Sequence, residues 1–163
     1  MAATRKLLPT TVIGSHALPS WLWHARAAMA EGKFGSTDID ETLEDATRIA
    51  IADQIEAGVD LISDGEMGRV NFIVGFYSHL SGIETSAASR RMGPPHWDSE
   101  QRMLAREKLQ APNGLGIVQD FRLAQGLTSH PLKMAVPGPV TLATPIRMGG
   151  AYKSQDTLIA DLT

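Results

Sequence analysis

The pattern of apolar and polar positions alternates between short β-branched runs and longer segments of helical period. The first run, Thr10-Thr11-Val12-Ile13-Gly14-Ser15, is closed by Gly-Ser and predicts a buried strand ending in a loop. A helix is expected over residues 21–31, stopped by Gly32. The strongest helical pattern covers residues 38–57. Asp38 and Glu41 there have the spacing of a capping box, and Gly58 is placed to end the helix. Ile39, Leu43, Ala46, Ala50 and Ala57 share one stripe of that helix, with Glu41, Glu44, Asp45 and Arg48 largely opposite. Ile51 and Ile55 lie off the stripe and are expected to meet a neighbouring helix or another chain.

Val59-Asp60-Leu61-Ile62-Ser63 is the second predicted strand and leads into Asp64-Gly65-Glu66. A short helix over residues 71–80, ending at Gly82, completes the strand–loop–helix order of a parallel α/β fold. Residues 83–118 break the alternation and read as an insertion, either covering a site or serving as a plain surface excursion. A helix is expected within it over residues 99–109. Residues 119–126 look helical, Leu132-Lys133-Met134-Ala135-Val136 is the third predicted strand, and residues 154–163 begin another helix. The expected class is therefore α/β, a partial (β/α)8 barrel of about three units within a single domain, 1–163. A complete barrel takes about 250 residues, so a C-terminally truncated barrel is expected.

Composition narrows the function. Net charge is −3 and the basic residues are scattered, so no nucleic-acid or anionic-membrane footprint is expected. No apolar run reaches the length of a membrane span, and the N-terminal residues 1–8 lack the apolar core of a signal peptide, which makes the expected location cytoplasmic. Cysteine is absent, so thiolate–metal sites and disulfides within the chain are excluded. The five histidines, at positions 16, 24, 79, 96 and 130, include no i,i+4 pair and no H-x-H. No P-loop, G-x-G-x-x-G or G-x-S-x-G motif is present.

Chemistry is expected where the parallel strands end. Glu66 could bind an ammonium group, ligate a metal or act as a base; alternatively it caps a helix or pairs with Arg69. Asp64 is read as a capping residue. Gly14-Ser15 offers backbone N–H groups and a hydroxyl to an anion, or is an ordinary tight turn. His16 sits beside that loop, and Thr141 is a candidate helix cap.

Three stretches, LPTTVIGSHALP (8–19), DLISDGEMGRVNFIVGFYSHLSGIE (60–84) and PLKMAVPGPVTLA (131–143), together resemble the catalytic barrel of the cobalamin-independent methionine synthase family. The resemblance implies a zinc methyltransferase acting on a methylated folate and homocysteine. It also implies that Ile13, Gly14, Ser15 and Glu66 hold the amino-acid part of the thiol substrate. The family's zinc ligands come from later strands, so none is expected in this chain, and no residue here is assigned a catalytic role. His16 and Ala17 stand where the family usually carries an aromatic and a proline, and residues 67–72 also depart from its usual run. A related alkyl or thiol transferase of the epoxyalkane–coenzyme M type is the first alternative. The second is a non-catalytic half-barrel that pairs with a complementary half or with a second copy.

Overall fold

The structure, a computed structural model, describes residues 7–69, 74–86 and 102–163. Its class is α/β. The chain forms two units, one within Met1–Phe72 and Ile117–Ala135, the other within Ile73–Gly116 and Val136–Thr163.

In the first unit, α1 (Ser20–Ala30) follows the extended Pro19 and buries Leu22 completely. Helix α2 (Ser36–Glu56) starts one turn earlier than expected. Gly35 is its N-cap and Asp38 stands at the third helical position, where Oδ2 accepts the Gly35 N–H at 2.9 Å. A carboxylate there favours the positive end of the helix dipole. The far end closes as expected on Gly58, whose φ is 75°. The Gly58 N–H reaches Ile55 O and the Val59 N–H reaches Gln54 O, both at 3.0 Å, the two bonds of a Schellman motif.

The buried face of α2 is Ala46, Thr47, Ala50, Ile51 and Gln54, and Ala57 at the expected stripe's end is exposed. Ile51 packs with Ile62 and with Ala124 of α4 (Ile117–Leu127), and Ile55 lies against the same cluster. These two isoleucines therefore meet a neighbouring helix. Leu22, Ala46, Ala50 and Met67 form a second cluster.

The three sequence-predicted strands appear as parallel segments joined by single bridges, Thr11 to Leu61 and Ile62 to Leu132. The first, expected to be buried, is exposed over residues 10–15 because it is paired on one side at one residue only. Leu61 N–H donates to Thr10 O, and Ile62 exchanges bonds with Pro131 and Lys133.

The second unit holds α3 (Val74–Tyr77), β1 (Ser81–Ser86), β2 (Arg102–Gln110), α5 (Pro139–Ala143), β3 (Ile146–Met148) and α6 (Gln155–Asp161). Strand β2 pairs antiparallel with β1 and parallel with β3. This overturns the helix expected over 99–109, of which residues 99–101 lie outside the described residues. Arg, Met, Leu, Ala, Glu and Lys are good helix formers, but pairing on both sides and burial of Met103, Ala105 and Leu109 override that preference. Helix α5 is capped by Gly138 with Pro139 following, so Thr141 lies inside the helix and does not cap it. Ser154 caps α6, accepting from Thr157 N–H. No helix among the described residues is long and apolar enough to cross a membrane.

Candidate functional site

Parallel pairing fixes where two of the strand ends lie. Thr11 is bridged to Leu61, and each chain runs on for four or five residues to Ser15 and Glu66 respectively. Because the segments run the same way, both residues emerge at the same end. Ser15 Oγ–H donates to Glu66 Oε2 at 2.7 Å, and the next residue, His16, donates its N–H to Gly65 O at 2.9 Å. The third strand end, residues 137–141, belongs to the other unit and supplies the cap and first turn of α5.

The loop carrying Glu66 is built from backbone conformations that few residues adopt. Gly65 has φ 66° and Glu66, a non-glycine, has φ 58°. The left-handed region costs an L-residue about 1–2 kcal/mol, so something must hold Glu66 there. Asp64 Oδ1 accepts the Glu66 N–H at 3.0 Å, and Glu66 O accepts from Arg69 N–H at 3.1 Å. Asp64 thus caps its own turn, not a helix. Gly65 is required for a second reason. A Cβ there would lie 2.7 Å from Ala50 Cβ and 2.9 Å from His16 Cβ.

Around this turn the charges are arranged in pairs. Arg69 is buried, donates to Ala135 O at 2.9 Å and lies 4.0 Å from Asp64 and 3.7 Å from Asp120. Burial raises the Asp64 carboxyl above the usual carboxylate range despite the opposing Arg69 charge. Arg26 of α1 donates to both Met67 O and Arg69 O, and burial lowers its guanidinium pKa.

Glu66 is 4% exposed, and its carboxylate takes its hydrogen bond from Ser15. Its second oxygen, Oε1, is buried with no hydrogen-bond partner among the described residues. A buried acceptor left unpaired costs about 1–3 kcal/mol, so this atom is a place where a ligand donor gains most. Beside the pair, an open depression of about 320 Å3 is lined by Ile13, Gly14, Ser15, His16, Gln54 and Gly65 among others. Ile13 is 86% exposed, and Gly14 takes φ 88°. The four expected residues therefore gather at one loop pair. A smaller hollow of about 170 Å3, lined by Asp40, Asp64 and Asp120 among others, has Arg69 paired to two of those acids.

Several supporting residues were not foreseen. Gln54 lies on the buried face of α2, where its Nε2 donates to Ser63 O and its Oε1 accepts from Ser63 N–H, both at 2.9 Å. A polar residue on an otherwise apolar helix stripe was the available signal. The pairing of His16 Nε2 with Asp53 Oδ2 at 3.0 Å, and the role of Arg26, leave no local trace in the sequence. Among the described residues, no group of three His, Cys, Asp or Glu is placed to hold a metal ion.

Known proteins sharing this chain's features are consistent in kind. The chain is 31% identical over 157 residues to a methionine synthase of Sulfurisphaera tokodaii and 32% identical over 156 residues to one of Sulfolobus acidocaldarius. Each match covers 96% of this chain and 45% of the relative, so the chain spans a little under half their length. A B12-independent methionine synthase from Shewanella sp. W3-18-1, solved in complex with selenomethionine, superimposes with a TM-score of 0.76 at 26% identity, over 96% of this chain and 45% of that one. A putative vitamin-B12-independent methionine synthase from Listeria monocytogenes shares the fold at a TM-score of 0.61 and 17% identity, over 86% of this chain and 41% of that one. The family model described as the catalytic domain of cobalamin-independent synthase matches residues 8–160, and the chain belongs to that family.

Proposed function

We propose that this chain is part of a zinc-dependent methyltransferase that moves a methyl group from 5-methyltetrahydrofolate, as its polyglutamate, to homocysteine, forming methionine. On this reading the chain contributes about the first three units of a (β/α)8 barrel, with residues 83–118 as an insertion. Its partners are small molecules and the remaining barrel units, and its location is cytoplasmic. The single observation that carries the reading is the buried Glu66, held by the exposed Ser15 hydroxyl, with one carboxylate oxygen left without a partner among the described residues. A carboxylate with one oxygen lacking a donor suits the ammonium of an amino acid, while the exposed Ile13-Gly14-Ser15 loop suits its carboxylate group. The selenomethionine held by the Shewanella protein is an amino acid of this kind and supports the same assignment.

The reaction joins sulfur to the methyl carbon as the bond from that carbon to the folate nitrogen breaks. The nitrogen keeps the electron pair and takes a proton. A free thiol, with pKa near 8.5, is mostly protonated at neutral pH, and a bound zinc ion would supply the Lewis acidity that favours its deprotonated form. The described residues supply no donor set for the ion, so in this proposal its ligands lie outside them. What the chain contributes is grip on the amino-acid end, which fixes the sulfur in position.

Calorimetry with L-methionine and with its 2-hydroxy analogue, which lacks the ammonium, tests the reading. Methionine is expected to bind, and Glu66→Gln and Ser15→Ala each to weaken it by about tenfold or more, equivalent to one charge-assisted hydrogen bond. Equal affinity for the hydroxy analogue, or an undiminished affinity in Glu66→Gln, sinks it.

A further inference from the structure

His16 follows Ser15 directly and is held at three points. Its N–H donates to Gly65 O, its Cβ packs where a side chain on Gly65 would have to go, and its ring nitrogen Nε2 lies 3.0 Å from Asp53 Oδ2. A carboxylate can only accept, so Nε2 carries the hydrogen in this pair. Asp53 precedes Gln54 on α2. Two consecutive helix residues thus hold the two loops of the site: Gln54 grips Ser63 on the Glu66 side, and Asp53 grips His16 on the Ser15 side.

The His16 side chain is 29% exposed and that of Asp53 55%. An ion pair so open to water contributes about 0–1 kcal/mol to stability, which makes a purely stabilising role a poor explanation for it. Its geometry does more. Immediately before Ser15 the chain passes through Gly14, with φ 88° and nothing within 4 Å of where its Cβ would be, so the loop has freedom on that side. On the other side it is tied by His16. The 2.7 Å bond from the Ser15 hydroxyl to Glu66 Oε2 depends on where this loop is held.

We propose that His16 is a positioning residue. Through its bond to Asp53 it holds the Ser15 hydroxyl on Glu66 Oε2, which turns the other oxygen, Oε1, toward the ligand's ammonium group. The second half rests on the amino-acid reading above, whereas the first does not.

The test uses the chain itself, labelled with 13C at glutamate, in four forms: unaltered, His16→Ala, His16→Gln and Asp53→Asn. Two quantities are read, the Glu66 side-chain carboxyl resonance without ligand and the affinity for L-methionine. His16→Ala is expected to move the resonance and weaken binding by about tenfold while lowering the melting temperature by no more than an exposed ion pair is worth. His16→Gln, whose amide N–H can still donate to Asp53, is expected to restore the resonance and bring affinity back to within about twofold. Asp53→Asn, which keeps an acceptor oxygen, should fall between. An unmoved Glu66 resonance in His16→Ala, or a glutamine variant no better than alanine, overturns the proposal. If no form binds methionine while the resonance still responds as expected, the amino-acid reading fails and the positioning role stands. If the unaltered chain and His16→Ala bind equally with the resonance unmoved, the reverse holds.

Discussion

The two units of this chain are held together in opposite ways. In the second, β1 and β2 run side by side with paired residues from Ser81–Gln110 to Ser86–Arg102, and β3 extends the sheet through three consecutive pairs. Backbone ladders carry the pairing there, and side chains finish it. Tyr77 O–H donates to Leu142 O, and Tyr152 accepts from Leu109 N–H while donating to Asp161. In the first unit the parallel segments meet at single bridges, so side chains take over the ladder's work. Thr10 donates twice to Asp60, Thr11 O–H reaches Leu61 O, and Gln54 satisfies both backbone groups of Ser63. A region positioned by individual side chains can present unusual backbone, such as the left-handed Glu66, at a defined place. It is also more exposed to single substitutions.

That contrast yields predictions of decreasing size. Gly65→Ala should hurt most, because it combines a left-handed backbone with overlap against Ala50 and His16. A loss of about 3–5 kcal/mol is expected from conformational strain and overpacking together, measured as a fall in the urea midpoint. Gln54→Leu strands the N–H and C=O of a buried Ser63 and should cost about 2–4 kcal/mol; a loss under half of that in the same titration means the segment is held by something else.

In the second unit, Tyr77→Phe removes one bond where a ladder already exists, and about 1 kcal/mol is expected. It has a pH signature too. Burial pushes the Tyr77 hydroxyl up to about 12 from an ordinary value of 10.0. The folded state therefore holds this proton more tightly than the unfolded one. The associated stability is full below pH 10 and is lost as pH rises from there toward 12. Thermal melts across that range should show a steeper decline for the unaltered chain than for Tyr77→Phe.

The smallest effect has the opposite sign. Burial raises the Asp64 carboxyl, so the ionised form is disfavoured in the fold, and the penalty grows as pH climbs above the unfolded value of 3.8. Asn at position 64 keeps an oxygen to accept the Glu66 N–H. Asp64→Asn is therefore expected to be slightly more stable than the parent at pH 7, by about 1 kcal/mol or less, with the gain shrinking toward pH 4. A variant less stable at pH 7 than at pH 4, relative to the parent, contradicts the stated balance between burial and Arg69.

Much of the first unit was legible because its signals are local. The glycine stop at Gly58 and the polar turn after Ile62 each constrain a few consecutive residues and lie where they were expected, whereas the β-branched run before Ser15, expected as a buried strand, makes a single bridge at Thr11 and is exposed. Asp38 was recognised as an N-terminal acid, yet displaced by three positions, because Gly35 can cap through its backbone without a side chain. The meeting of Ser15 and Glu66 was also inferable, since parallel strands of matched length must end on the same side. The second unit was poorly legible. Residues 102–110 are written in helix-forming amino acids, and what makes them a strand is the presence of partners on both edges. The three-residue β3 is too short to carry a period.

The sequence by itself determined the alternation of elements in the first unit, the C-terminal end of α2, and which two loops carry the polar residues of the candidate site, because φ > 0 at glycine and hydrophobic period act over a few bonds. Tertiary structure alone decided that β2 is extended, that Glu66 keeps one carboxylate oxygen without a partner among the described residues, and that His16 finds Asp53 thirty-seven residues away. These depend on which atoms are brought together and which are denied water, and neither quantity exists until distant segments of the chain have packed.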